Sequence, residues 1–259
     1  MPERPRVFLP LLTMQLLQLR GEWFALCLVS LALPLGLVTA LTAFPFASTS
    51  GQRDLLLGAS SILAPLGGAL LVLPGQLAHM RDQGQLRFFA AFPLGRVSLL
   101  LVWFIAFAVL TLPGTILTPL WTAHLLHMSA SFSWEIVFVW LLSSLALTAI
   151  GSSLGLAGLR HTATLACGFA AYGALLLGIL FLAVPHPSPW AHTIALFLPA
   201  SMGSDLAAAC LPLSSGHLVG SDLFFLMLYG AGFAYLAYLR LPWRVEAQAA
   251  SAVVTTSHP

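Results

Sequence analysis

Residues 55–96 read LLLGASSILAPLGGALLVLPGQLAHMRDQGQLRFFAAFPLGR. Leu55 to Ala78 carries no charged side chain, whereas Arg81 to Arg96 carries three arginines and one aspartate. A helix needs about 20 apolar residues to cross roughly 30 Å of hydrocarbon. The first part of the stretch is therefore long enough to span a membrane. The second part reads as a basic segment where the chain turns back at the interface. Another apolar run opens at Val97. This unit of span, basic connection and span sets the reading of everything else.

Working outward, apolar runs predict six spans, at 23–45, 55–78, 97–123, 134–157, 162–184 and 222–239. Pro34, Pro65, Pro74, Pro113 and Pro119 fall inside them. Intramembrane prolines are tolerated where neighbouring helices satisfy the freed backbone, and they predict bends. Threading the six runs alternately puts nine of the ten arginines on one side. Arg4, Arg6 and Arg20 precede the first span, Arg81, Arg87 and Arg96 follow the second, Arg160 follows the fourth, and Arg240 and Arg244 follow the sixth. Arg53 falls on the other side, beside Asp54. Loops rich in Lys and Arg stay cytoplasmic, so both termini are expected inside.

The composition agrees. The 259 residues are 59% hydrophobic and 7% charged, with a mean hydropathy of +0.95. Soluble domains average about 25% charged residues, so a sizeable soluble domain is not expected. The net charge of +2 lies along membrane edges and gives no reason to expect a nucleic-acid partner. Cys27, Cys167 and Cys210 lack metal-ligand or C-x-x-C spacing. The expectation is an all-α polytopic membrane protein with one domain over residues 1–244 and a disordered cytoplasmic tail over 245–259. The first span follows a long lead and reads as an uncleaved anchor.

Two segments are apolar but too short to cross. Residues 5–20, broken by Pro10, suit a helix lying in the cytoplasmic interface. The external stretch 185–221 holds two pieces, 190–198 and 202–211, separated by Pro199. They read as interfacial or re-entrant helices, because irregular backbone at membrane depth must be buried in protein or face water. No internal repeat is evident, which weighs against a secondary transporter built from two halves.

Between the second and third spans, Arg81, Asp82, Gly84, Gln85, Leu86, Arg87, Pro93 and Arg96 form the most informative segment. It predicts a short amphipathic helix along the membrane, with Leu86, Phe89 and Ala90 toward the bundle and Asp82, Gln85 and Arg96 toward the cytoplasm. Gly151-Ser152-Ser153-Leu154-Gly155 spells the hydrolase pattern G-x-S-x-G, with Ser153 in the nucleophile position. It also spells G-x-x-x-G, in which Gly151 and Gly155 let helices approach closely. Within a membrane helix, packing is the favoured reading. His124 and His127 lie three apart near the outer edge and are candidate metal or haem ligands, although interfacial polar residues are the simpler reading. Glu22, Glu135 and Asp222 fall near span ends, which argues against an ion-coupled pump.

The segment resembles the first cytoplasmic loop of type-2 ABC exporter permeases. Asp82, Gly84, Leu86, Pro93 and Arg96 follow that family's order of acidic residue, glycine, leucine and proline-centred turn into the third span. Leu198-Pro199-Ala200-Ser201-Met202 resembles the family's proline segment before the last span. Where the family often places glutamates before the glycine, this chain has His79, Met80 and Arg81. The resemblance implies a permease subunit of the bacterial inner membrane that dimerises with a second copy or a paralogue. It would dock two ABC ATP-binding subunits through residues 80–96, acting as a coupling helix, and would export an amphipathic or apolar cargo. ATP and magnesium would be bound on the partner ATPase. A P-loop needs its lysine to reach the β/γ-phosphates, and this chain contains no lysine, so ATP chemistry is expected on another polypeptide; the resemblance implies neither an enzymatic site nor a cofactor in this chain. Runner-up readings are the haem-exporter-type permease of cytochrome c maturation, an intramembrane serine hydrolase using Ser153, and an ion-coupled transporter.

Overall fold

The structure, a computed structural model, describes residues 10, 12–14, 17, 21, 23–43, 49–86, 89, 95–128, 133–183, 189–210 and 219–241. Among these there is no strand. Six helices are long and apolar enough to cross a membrane: α1 (Phe24–Ala43), α2 (Ser50–Asp82), α3 (Arg96–Leu125), α4 (Glu135–Gly155), α5 (His161–Leu182) and α8 (Gly220–Arg240). Two shorter helices, α6 (Pro189–Leu196) and α7 (Pro199–Ala209), precede α8. The protein is thus a multi-pass, all-helical membrane protein. Of the expected interfacial helix over 5–20, residues 10, 12–14 and 17 are described and helical. The tail over 245–259 lies outside the described residues.

The second span starts earlier than its apolar run suggests. Thr49 caps it by accepting from the Gln52 backbone N–H, and the Gln52 side chain accepts from the Thr49 N–H. This capping box satisfies two N-terminal donors and carries Arg53 and Asp54 into the first turns of the helix. α2 is the axis of the bundle and is almost wholly buried, touching α1, α3, α4, α5 and α7. α8 lies outermost against α4 and α7.

Two prolines organise the contacts around that axis. Pro34 and Pro74 have no N–H, so each deprives a carbonyl one turn earlier of its helical donor. A π-helical turn precedes each of them, at Leu28–Ala32 and Gly68–Val72. Carbonyls of these two π turns face glycines of neighbouring elements. Val29 O and Ser30 O abut Gly67 of α2 and Gly114 of α3, and Ala69 O and Leu70 O abut Gly151 of α4 and Gly168 of α5. A glycine has no Cβ to hold the carbonyl off, and its Cα–H makes a weak contact with the oxygen. The π turns before these prolines are therefore also points where glycines of neighbouring helices come close.

Candidate functional site

The helix ends at Asp82, Arg96, Gly155, His161 and Arg240 gather at one end of the bundle, as several contacts show. Arg81 donates to the carbonyls of Gly155 (3.4 Å) and Leu159. Arg240 donates to the Ser153 carbonyl at 2.9 Å. The Arg96 guanidinium stands 5.3 Å from the Tyr238 ring centroid, within cation–π range. The His79 and His161 rings meet edge-on at 6.2 Å. Two arginines thus cap the C-terminus of α4, where unpaired carbonyls concentrate the negative end of the helix dipole.

The segment joining α2 to α3 starts differently from its expected form. Arg81 and Asp82 belong to the last turn of α2 rather than to a separate helix, because the helical hydrogen bonding continues through Asp82. The chain then turns at Gln83 and Gly84. The Gly84 N–H donates to Arg81 O at 3.0 Å, and its φ is +71°. That left-handed conformation ends helices and is costly for any residue with a Cβ. Gln83 ties the turn together through His79 Nε2 at 2.7 Å and the Gln85 amide at 2.6 Å. Helix resumes at Gln85 and Leu86, and Phe89 is helical again. Leu86 and Phe89 are buried, at 2% and 1% exposure, in the cluster that includes Leu73, Leu77, Trp103 and Leu241. Arg87 and Pro93 lie outside the described residues.

Asp82 faces outward, and its carboxylate pairs with Arg81 at 2.9 Å. Such an exposed pair adds little stability. Arg81, by contrast, divides its guanidinium between Asp82 and the carbonyls of Gly155 and Leu159, so half of its hydrogen bonds are directed into the bundle. Arg96 leans on α8. Among the described residues expected to meet a partner, Asp82 is exposed, whereas Arg81, Gly84, Gln85 and Arg96 are half-buried.

Ser153 is 2% exposed, lies on continuous helix, and donates its hydroxyl to Ile150 O at 2.8 Å. A nucleophile elbow requires a strand-to-helix turn, and no strand occurs among the described residues. Gly151 and Gly155 of the same motif lie against α2: a Cβ on Gly155 would come 2.7 Å from the Leu77 Cβ. His124 is exposed and lies 5.8 Å from the Trp121 ring. His127 is exposed in the turn after α3, with φ +51°. Among the described residues, no group of three His, Cys, Asp or Glu side chains could hold a metal ion.

At the opposite end, the two short pieces expected outside become α6 and α7, with Pro199 in the first turn of α7. Pro fits there because the N–H it lacks would be unpaired anyway. α7 does more than lie on the mouth of the bundle. Its backbone abuts Gly58, where an added Cβ would lie 2.5 Å from Ala208 N, and its Gly203 meets Ser143 of α4 and Ile62 of α2. Gly58 is eight residues into α2, about 12 Å along the helix. Asp205, overlooked among the acidic residues of the sequence, is half-buried on this helix. The signal for it was available: an acidic residue inside an apolar segment.

No family model matches this chain, and no curated protein matches it.

Proposed function

We propose that this chain is the transmembrane permease subunit of an ATP-driven exporter of the type-2 ABC kind, with its arginine-rich end in the cytoplasm of a bacterial cell. The observation that carries this reading is the connection from α2 to α3. It is a basic segment at the arginine-rich end, fastened inward by Leu86 and Phe89 and presenting Asp82 outward. A partner that pushes on such a segment moves α2 through the continuous helix above Asp82. It moves α4 through the Arg81 bonds to Gly155 and Leu159. Since α2 touches five other helices, displacement at one end reaches the whole bundle.

With no lysine in the chain and hence no P-loop, ATP would be hydrolysed by two copies of a separate subunit. A second permease copy or a paralogue would complete the transporter. α7, inserted beside α2 and α4, would line the outer exit. The cargo would be amphipathic or apolar.

The test is purification from native membrane in mild detergent, followed by identification of co-purifying chains and an ATPase assay. A stoichiometric ATP-binding subunit is expected. With Asp82→Arg, this partner should be lost, or its hydrolysis should no longer respond to the permease, while the permease itself still inserts and purifies. Transport driven by a proton or sodium gradient in vesicles without ATP, and without any ATPase in the preparation, would overturn the proposal.

A further inference from the structure

The outer face of α8 carries a groove of about 410 Å³, lined by Phe197, Phe225, Tyr229, Gly232, Phe233 and Leu236 among others. Its walls are apolar and aromatic. Phe197 meets Phe225 edge-on at 6.0 Å, and Tyr229 stacks on Phe233 at 6.3 Å. The one phenol in the wall is already engaged, since Tyr229 OH donates to Phe197 O at 2.9 Å. Gly232 leaves its position open, with no atom within 4 Å of where a Cβ would stand.

Three features point to what fills it. First, α8 is one of the six helices long and apolar enough to cross the membrane, so a cleft along its middle opens into hydrocarbon and not into water. Second, Phe225 and Leu236 are eleven residues apart, about 16 Å along a helix. That is about the length of one acyl chain, which fills half of the roughly 30 Å core. Third, Phe225, Tyr229, Gly232, Leu236 and Arg240 fall at offsets of 0, 4, 7, 11 and 15 residues, a single stripe of the helix. The stripe that carries the groove therefore leads to Arg240, four residues beyond Leu236. One N–H of Arg240 is fixed on Ser153 O, and among the described residues no carboxylate pairs with it. A guanidinium has five N–H donors in all and favours phosphate.

We propose that this groove is a binding site for an anionic phospholipid of the surrounding bilayer, with one acyl chain against Phe225–Leu236 and the phosphate on Arg240. The site is independent of the exporter reading, because it needs only the span and the arginine at its end.

Native mass spectrometry tests it, using delipidated protein titrated with phosphatidylglycerol or phosphatidylcholine of equal chain length. Phosphatidylglycerol should occupy the first site with about fivefold preference, the scale set by one arginine near an anionic surface. Arg240→Gln should abolish that preference, weakening phosphatidylglycerol more than phosphatidylcholine, whose phosphate is already balanced by its own ammonium. Gly232→Leu, which fills open space, should weaken both lipids. Arg160→Gln, an exposed arginine after α4, should leave the preference intact. Equal affinity for the two lipids in the parent protein would overturn the proposal, as would equal effects of Arg240→Gln and Arg160→Gln. A dimer that Gly232→Leu dissociates, with lipid binding untouched, would show instead that a second copy occupies the groove.

Discussion

Replacing Gly151 by alanine tests whether the π-turn carbonyls and the facing glycines are built as pairs. A Cβ placed on Gly151 would lie 1.9 Å from Ala69 O, whereas ordinary contact begins near 3.4 Å. The obstacle is backbone, which has no rotamer to change. α2 and α4 must therefore move apart locally by about 1.5 Å. Gaps of about 0.5–1 Å already forfeit a quarter to a half of the dispersion attraction between facing atoms, and overpacking a well-filled interior costs about 1–3 kcal/mol. Alanine recovers roughly 0.5–1 kcal/mol relative to glycine within a helix, which offsets only part of that loss. The control is Gly173→Ala in α5, where nothing lies within 4 Å of the new methyl. It keeps the propensity gain and has no clash. The two variants should shift stability in opposite directions, separated by the overpacking cost of about 1–3 kcal/mol, since the propensity gain is common to both. An SDS titration from mild detergent, followed by tryptophan fluorescence, reads the difference. If Gly151→Ala proved as stable as Gly173→Ala, the close approach of α4 to the π turn would be refuted, and with it the pairing of π-turn carbonyls with glycines.

Two further outcomes are expected. Gly84→Val places a β-branched residue at φ +71° and should destabilise the turn by about 1–2 kcal/mol; limited proteolysis between α2 and α3 should accelerate, and an unchanged cleavage rate would count against the turn as described. Burial raises the pKa of the Cys210 thiol and the nearby Glu135 carboxylate raises it further, against a hydrogen bond from Ser133 that lowers it. Because thiolate is the nucleophile, a hydrophilic maleimide at pH 8 should label Cys210 slowly in a Cys27→Ala/Cys167→Ala background and rapidly once SDS unfolds the protein. Fast labelling of the folded form would contradict its burial.

How far the site could be read from sequence differs by residue. Leu86 and Phe89 pointed inward in a simple amphipathic reading, and both are buried. Arg81 read equally well as an outward cation. Its inward turn depends on where the end of α4 lies, 74 residues further along the chain, and no local pattern encodes that. The start of α2 was legible in Thr49 and Gln52 as a capping box, but hydropathy alone passed over it, because the first turn it begins is polar. The hydroxyl of Ser153 illustrates the reverse case. Its five-residue motif suggests chemistry, whereas the continuous helix around it gives the hydroxyl to Ile150 O.

The sequence by itself determined the six apolar segments that form helices long enough to span a membrane, and its arginine pattern sets the expected orientation. Hydropathy and charge are sums over neighbouring residues, and the bilayer evaluates them segment by segment. Only the tertiary structure decided that α7 packs against Gly58 of α2, that carbonyls of the π turns before Pro34 and Pro74 meet Gly67, Gly114, Gly151 and Gly168, and that Arg81 and Arg240 converge on the end of α4. These features depend on the rotation and axial register of helices distant in the chain. Register is set by the packing of all helices together, because lipid tails are as apolar as the side chains and cannot by hydrophobicity alone select which faces meet.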